Sequence, residues 1–496
     1  MREREAKLPA QVDFVVPDLA AVVEGVTAHE PSPHLLDAVY YDTPDLRLAR
    51  WGASLRHRSG DGAGWTVKLP GDADGSALVR RELTIQGEPG SIPAEAVDLV
   101  RAYTRQVALQ PVARLQTRRV VVELHDAEGR RVAEVADDDV SVLEGERLGD
   151  RFREIEVEVS PAAPEALLDR IVARLRQAGA GGHEPTPKVV RALGPRALEP
   201  PELVAEKPSK DASVTDVVRA ALTASVIRIL CHDPGARLGD DPEDVHQARV
   251  GTRRLRSDLR TFRPFLDQGW ASGLREELGW LGAELGAVRD ADVLLDRLRH
   301  QGAELAVGDA AGVAGLVGLL ADEREARRAR MLEVMGGVRY LDLLDRLVDG
   351  ANAPRLQHKA QLRARPLLPS LVTRPWTRLK RAVDAVDDSS DESLHQVRIE
   401  AKRCRYAAEA VAPVIGRPAH AFARAVAEVQ GVLGDHQDAV VTEAWLRQRG
   451  VELPPAQAMV AGQLVAAQRA EAAVCRAAWP RAWKRASKKK LRSWLA

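Results

Sequence analysis

Cysteine occurs only three times in 496 residues, as Cys231, Cys404 and Cys475. The number is odd and no CxxC or CxxH spacing surrounds them, which argues against a disulfide framework and against a structural zinc site. Aromatic residues make up 4% of the chain, too few for an extended base-stacking surface. An excess charge of either sign is also lacking, because 72 basic residues balance 72 acidic ones, so no global field marks a nucleic-acid binder and any anion site must be local. Long apolar runs are missing as well. The stretch from Ala310 to Ala321 is too short to span a bilayer, and the opening MREREAKL is charged where an export signal has an apolar core. The expectation is a soluble cytoplasmic protein with no membrane partner. Its length predicts two or three domains, each with its own core.

What is present falls into two patterns. Up to about residue 160, apolar and polar residues alternate in short runs broken by turn signals such as Pro70-Gly71 and Glu128-Gly129, the pattern of an antiparallel sheet. From Val214 onward the period becomes 3.6, in long Ala-, Leu- and Arg-rich segments. A Gly- and Pro-rich stretch separates the two. We therefore expect an α+β two-domain chain, with residues 1–197 forming the sheet domain, 198–210 a linker and 211–496 an all-α domain.

Charges in the sheet half recur at even spacings: Glu3, Glu5 and Lys7; Arg56 and Arg58; Lys68, two after Thr66; Arg80 and Glu82; Arg114 and Arg118; Glu154, Glu156 and Glu158. Period two places each set on one face of its strand. A single such segment reads as a solvated strand face. Taken together, and if the sheet closes, they line a polar lumen with both signs of charge. A triphosphate suits that mixture, since Arg forks and Lys point charges neutralise its oxygens while clustered carboxylates hold Mg²⁺ or Mn²⁺.

The opening Glu3-Arg-Glu5-Ala-Lys7 resembles the ExExK signature of the CYTH family, the triphosphate tunnel metalloenzymes. Tyr40-Tyr41-Asp42-Thr43-Pro44, then Leu55-Arg56-His57-Arg58, then Trp65-Thr66-Val67-Lys68, are similar to that family in order and spacing over about residues 1–195. The resemblance implies a closed antiparallel β-barrel, the triphosphate tunnel. It implies that Glu3 and Glu5, with Glu154, Glu156 and Glu158, hold metal. It also implies that Arg56, Arg58, Lys68, Arg80, Arg114, Arg118 and Lys188 grip phosphates, and that Glu3, Glu5, Lys7, Lys68 and Lys188 are the catalytic set.

The helical half contains a repeat. Val245-His246-Gln247-Ala248-Arg249-Val250, continuing to Arg253-Arg254-Leu255-Arg256, recurs as Leu394-His395-Gln396-Val397-Arg398-Ile399, continuing to Lys402-Arg403-Cys404-Arg405. Leu285-Gly286, leading to Arg289-Asp290, and Leu433-Gly434, leading to Gln437-Asp438, follow at nearly equal distances. On a helix, His246, Arg249, Arg253 and Arg256 form one basic stripe, and His395, Arg398, Lys402 and Arg405 another. Two such stripes could line one groove for a string of phosphates, with Arg289 and Arg403 beside them. Nucleic acid is the chemical rival, but no aromatics interleave the stripes. These motifs resemble the CHAD domain, the conserved histidine α-helical domain, over about residues 209–490. That resemblance implies polyphosphate binding in a bundle of two duplicated four-helix halves.

The function expected is metal-dependent hydrolysis of inorganic triphosphate or short polyphosphate, with the helical domain as a tether to polymer or polyphosphate granules. A noncatalytic polyphosphate-binding adaptor is the alternative. Thiamine triphosphatase, nucleoside triphosphatase and adenylate cyclase activities stay open within the enzyme class, because the motifs describe the triphosphate and not what hangs from it.

Overall fold

The computed structural model describes all residues except 1–3, 21, 61–62, 72, 75–76, 79–80, 146, 162, 185, 388–389 and 496, and the side chains of 4, 73–74, 77–78 and 144 are also left aside. The chain forms two compact units, Met1–Glu202 and Leu203–Ala496.

Among the described residues the first unit is built on eleven strands: β1 (Arg4–Ala10), β2 (Thr27–Ala28), β3 (Ser32–Asp42), β4 (Ser54–Ser59), β5 (Gly64–Leu69), β6 (Ala73–Asp74), β7 (Ala77–Leu78), β8 (Arg81–Ile85), β9 (Gln110–His125), β10 (Arg131–Glu144) and β11 (Arg147–Val159). The main sheet runs β1-β11-β10-β9-β3-β4-β5-β8, every pair antiparallel, with β2 on β9 and a separate β6-β7 ladder. Among the described residues the end strands β1 and β8 do not pair with each other. The sheet is therefore a curled half-barrel, and the expected closure is not formed by hydrogen bonds between its ends.

Alternation decides which charges turn inward. On β11, Ile155, Val157 and Val159 are buried in a core with Leu8 of β1 and Val135 of β10. Helix α3 (Leu167–Gln177) covers that face through Leu168, Ile171 and Leu175. The intervening Glu154, Glu156 and Glu158 must then face the concave side. Helices α1 (Arg47–Arg50) and α2 (Ala94–Thr104) flank the sheet. A short helix, α4 (Lys188–Leu193), packs Val189 and Val190 against Tyr40, Leu115 and Val140. That packing fixes its first residue, Lys188, at the concavity.

The second unit is all helical. Its long elements are α5 (Val214–Leu238), α6 (Pro242–Thr261), α7 (Gln268–Gly302), α8 (Ala310–Gly336), α9 (Val338–Asn352), α10 (Leu368–Asp384), α11 (Asp391–Ile415), α12 (Arg417–Gly450) and α13 (Pro455–Ala486), ending in the short α14 (Lys489–Arg492). Asp241 caps α6 by accepting from the Glu243 amide at 2.8 Å, with Pro242 at the first helical position. Ser390 caps α11. Gly251 lets α5 and α6 approach closely, since a Cβ there would stand 2.9 Å from Ile229 Cγ1 and 3.0 Å from the Ser225 carbonyl. Helix α6 packs on α5, α7 and α11, while α11 packs on α10, α12 and α6. The two repeated sequence segments are therefore neighbours. Among the described residues, no helix is long and apolar enough to cross a membrane.

Candidate functional site

The concave side of the sheet encloses a cavity of about 670 Å³, lined from β1, β3, β4, β5, β8, β9, β10, β11 and the start of α4. Seven expected residues meet there: Lys7, Arg56, Arg58, Lys68, Lys188, Glu156 and Glu158. Glu5 joins through its carboxylate. Ligand oxygens of Glu5, Glu156 and Glu158 all lie within 4.8 Å of one another, a grouping that suits a hard divalent cation. Glu154 stands apart from this trio, held by Lys188 at 2.9 Å and by Arg191 at 3.0 Å. Glu3 and Arg80 lie outside the described residues.

The floor of the cavity is a buried ion network. Glu156 accepts from Lys7 at 2.5 Å, Lys188 at 2.6 Å and Arg119 at 2.7 Å. Burial alone would raise the Glu156 pKa, but Lys188, Lys7 and Arg119 outweigh it and hold the carboxyl well below the usual range. Burial would likewise lower Lys7 and Lys188, yet the surrounding carboxylates, Glu156 foremost, keep both above the ordinary lysine value. On the opposite wall Lys68 Nζ lies 2.6 Å from Glu82, its cross-strand partner. Arg56 donates to the Tyr40 hydroxyl at 3.2 Å. Burial pushes that phenol up, but the charge and hydrogen bond of Arg56 prevail and draw it below its ordinary value.

The structure does not bring Arg114 and Arg118 into the cavity. On β9 the inward residues are odd-numbered, with Leu115 and Thr117 buried and Arg119, Val121 and Glu123 lining the cavity. Arg114 and Arg118 have the other parity and are exposed. Arg114 pairs with Asp37 at 2.7 Å on the outer face. Arg119 takes the inward place, making a two-pronged pair with Asp138 at 2.8 and 2.7 Å. Asp138, fully buried, also receives Lys188 at 2.8 Å. Neither Arg119 nor Asp138 was singled out from the sequence. The signal available was the even spacing of Glu134 and Asp138, four residues apart and so on one face of β10.

In the helical unit, α6 and α11 face each other across a second cavity of about 240 Å³, lined by Arg253, Arg256, Arg260, Lys402, Arg403 and Tyr406 among others. The repeated stripes thus share one surface. Burial and then the charges of Arg398, Arg253 and Arg249 push Lys402 down to about 8. The Nε atoms of Arg253 and Arg398 are buried without a hydrogen-bond partner among the described residues. Burial and then Arg289 lower His246 as well. His395 Nδ1 lies 2.6 Å from Gln437 Oε1, and Arg249 lies 2.6 Å from Asp290, so the second motif of each repeat orients the first. Arg405 turns from the cavity to Glu409 at 2.7 Å, and Arg403 also contacts Glu400. Crowded cations with few carboxylates are the arrangement a polyanion relieves.

The family model of the CYTH domain matches residues 1–191, and that of the CHAD domain matches residues 220–447. The uncharacterized proteins MT2285 and Rv2226, from the CDC 1551 / Oshkosh and H37Rv strains of Mycobacterium tuberculosis, are each 32% identical over 474 residues, 90% of this chain and 89% of theirs. Among solved structures, PptA from Streptomyces chartreusis is similar with a TM-score of 0.47 and 27% identity, covering 55% of this chain and 100% of that one. The CHAD domain from the plant Ricinus communis has a TM-score of 0.41 and 26% identity, covering 59% and 94%.

Proposed function

Since this chain belongs to the family in which a CYTH domain is followed by a CHAD domain, we propose that it hydrolyses inorganic triphosphate or short polyphosphate with a divalent metal, while its helical unit binds longer polyphosphate. The observation that carries the reading is the grouping of Glu5, Glu156 and Glu158 beside a cavity that also presents Arg56, Arg58 and Lys68. Those three carboxylates would hold Mg²⁺ or Mn²⁺, which when bound neutralises phosphate oxygens and polarises the phosphorus. Arg56, Arg58 and Lys68 would neutralise the remaining charge and align the chain, with Glu82 releasing Lys68 to the substrate. Lys188 and Arg119 would keep Glu156 ionised. In solution the sheet would close into a full tunnel, and the two repeats would form duplicated helical halves.

The helical unit would act as a tether, raising substrate concentration near the tunnel or placing the protein on polyphosphate granules in the cytoplasm. A noncatalytic adaptor is favoured by one observation only, that Glu156 is already paired with three cations. Comparing phosphate release from inorganic triphosphate, thiamine triphosphate and ATP, each with Mg²⁺, Mn²⁺ or a chelator, tests the reading. Metal-dependent release that is fastest from inorganic triphosphate supports it. Binding of polyphosphate without release from any of the three leaves the adaptor.

A further inference from the structure

The two basic segments repeat in register, yet the charges that follow them differ. Counting from His246 and His395, Arg254 corresponds to Arg403, and Arg260 corresponds to Glu409. The structure joins these positions crosswise. Arg254 pairs with Glu409, which also receives Arg405 at 2.7 Å. The matching contact on the other side sets Arg403 beside Arg260, cation against cation, where both line the same cavity. One crossing between α6 and α11 is thus neutralised and its counterpart is repulsive.

Further guanidiniums gather at the repulsive crossing. Arg256 lies against Gly279 of α7, where a Cβ would stand 3.3 Å from its Nη2. Arg275, also on α7, has its Nε buried without a hydrogen-bond partner among the described residues. Burial, then Arg403, Arg275 and Arg256, pull Arg260 down to about 10. Burial, then Arg256, Arg263 and Arg403, lower Arg275. Glu400, in contact with Arg403, is a carboxylate at this end and opposes the downward pull on Arg260.

A linear polyphosphate has one kind of site that such a cluster favours over all others. Each inner phosphate carries a single charge, whereas the terminal phosphate has a second ionisation near about 6 and approaches two charges at neutral pH. Planar guanidiniums bind such a group through paired, charge-assisted hydrogen bonds. We propose that Arg256, Arg260, Arg275 and Arg403 form an end-phosphate subsite, so that the groove between α6 and α11 binds polyphosphate directionally, with a chain terminus at the Arg260 end. The rest of the chain would run along Arg253 and Lys402, which line the same cavity. This rests on the proposal that the helical unit binds polyphosphate.

The test uses the full chain carrying Arg56→Gln and Lys68→Gln, which weakens phosphate binding in the other unit, in metal-free buffer so that the ligand is not consumed. Competition with labelled polyphosphate is measured for linear chains with free ends and for chains of the same length whose terminal phosphates are esterified. Free-ended chains are expected to bind about tenfold more tightly, the worth of one or two charge-assisted hydrogen bonds. Adding Arg260→Gln should abolish that preference. Adding Arg253→Gln with Arg398→Gln should weaken both ligands alike and keep it. Equal affinity for free and capped chains in the parent protein overturns the end subsite. Failure of both to bind overturns the underlying polyphosphate reading, and this inference falls with it.

Discussion

The ammonium of Lys188, at the first turn of α4, lies 2.6 Å from the carboxylate of Glu156 in the middle of β11. The same ammonium reaches Asp138 on β10 and Glu154 on β11. One buried cation thus ties a helix to two strands at the floor of the cavity.

The stability of the N-terminal unit should depend on pH through this knot. Glu156 has a folded pKa depressed below its unfolded value of 4.5, so its contribution is present above pH 4.5 and is lost as pH falls through the folded pKa. Lys7 and Lys188 are raised above 10.5, so theirs is present below 10.5 and is lost only as pH rises further. Thermal melts should be flat with respect to these groups between those limits and fall off below pH 4.5. In Glu156→Gln the acid limb should flatten while the neutral-pH melting temperature drops.

Substituting two arginines of β9, five residues apart, separates inward from outward parity. Arg114→Ala removes an outer-face pair and should leave phosphate release within about twofold. Arg119→Ala removes a cation from the cavity and should lower it by roughly 10²–10³-fold. Equal losses in both would mean that β9 presents both parities to the substrate.

Polyphosphate binding should weaken as pH rises through about 8, because Lys402 loses its proton there in the free protein. A bound polyanion stabilises the ammonium, so binding near pH 8 takes up protons. Titration calorimetry in buffers of different ionisation heat reads that uptake directly. It should shrink in Lys402→Gln.

Asp258 sits in α6, 1% exposed, with both carboxylate oxygens lacking a hydrogen-bond partner among the described residues and Arg254 at 3.4 Å. Burial pushes it up to about 7. Between pH 3.8 and about 7 the native state holds this proton more tightly than the unfolded chain, so stability falls as pH rises across that window. Asp258→Asn should therefore melt several degrees higher than wild type at pH 8 and gain little at pH 4. No gain at pH 8 would mean that the carboxylate is compensated there.

Much of this architecture was legible in particular residues. Ile155, Val157 and Val159 alternating with glutamates announced both a core face and a carboxylate face, because a strand has only two sides. The duplicated His-Gln-x-Arg segments placed two basic stripes on helices, and packing of α6 on α11 brings them together. Arg114 and Arg118 escaped correct placement because parity within a strand does not say which parity faces in; only the burial of Leu115 and Thr117 settles that. Asp138 is harder to read for another reason. A fully buried acid in a run of three looks like a solvated turn until Arg119 and Lys188, distant in sequence, are seen beside it. Closure of the sheet depends on contacts between β1 and β8, which no local pattern encodes.

The most direct measurement is phosphate release from inorganic triphosphate with Mn²⁺ or Mg²⁺, comparing wild type with Glu5→Gln plus Glu158→Gln, alongside Mn²⁺ binding to each protein. The account predicts release that requires metal in the wild type, and loss of both release and Mn²⁺ binding in the variant while polyphosphate binding persists. Release at the wild-type rate from the variant, or from wild type under chelation, would contradict it.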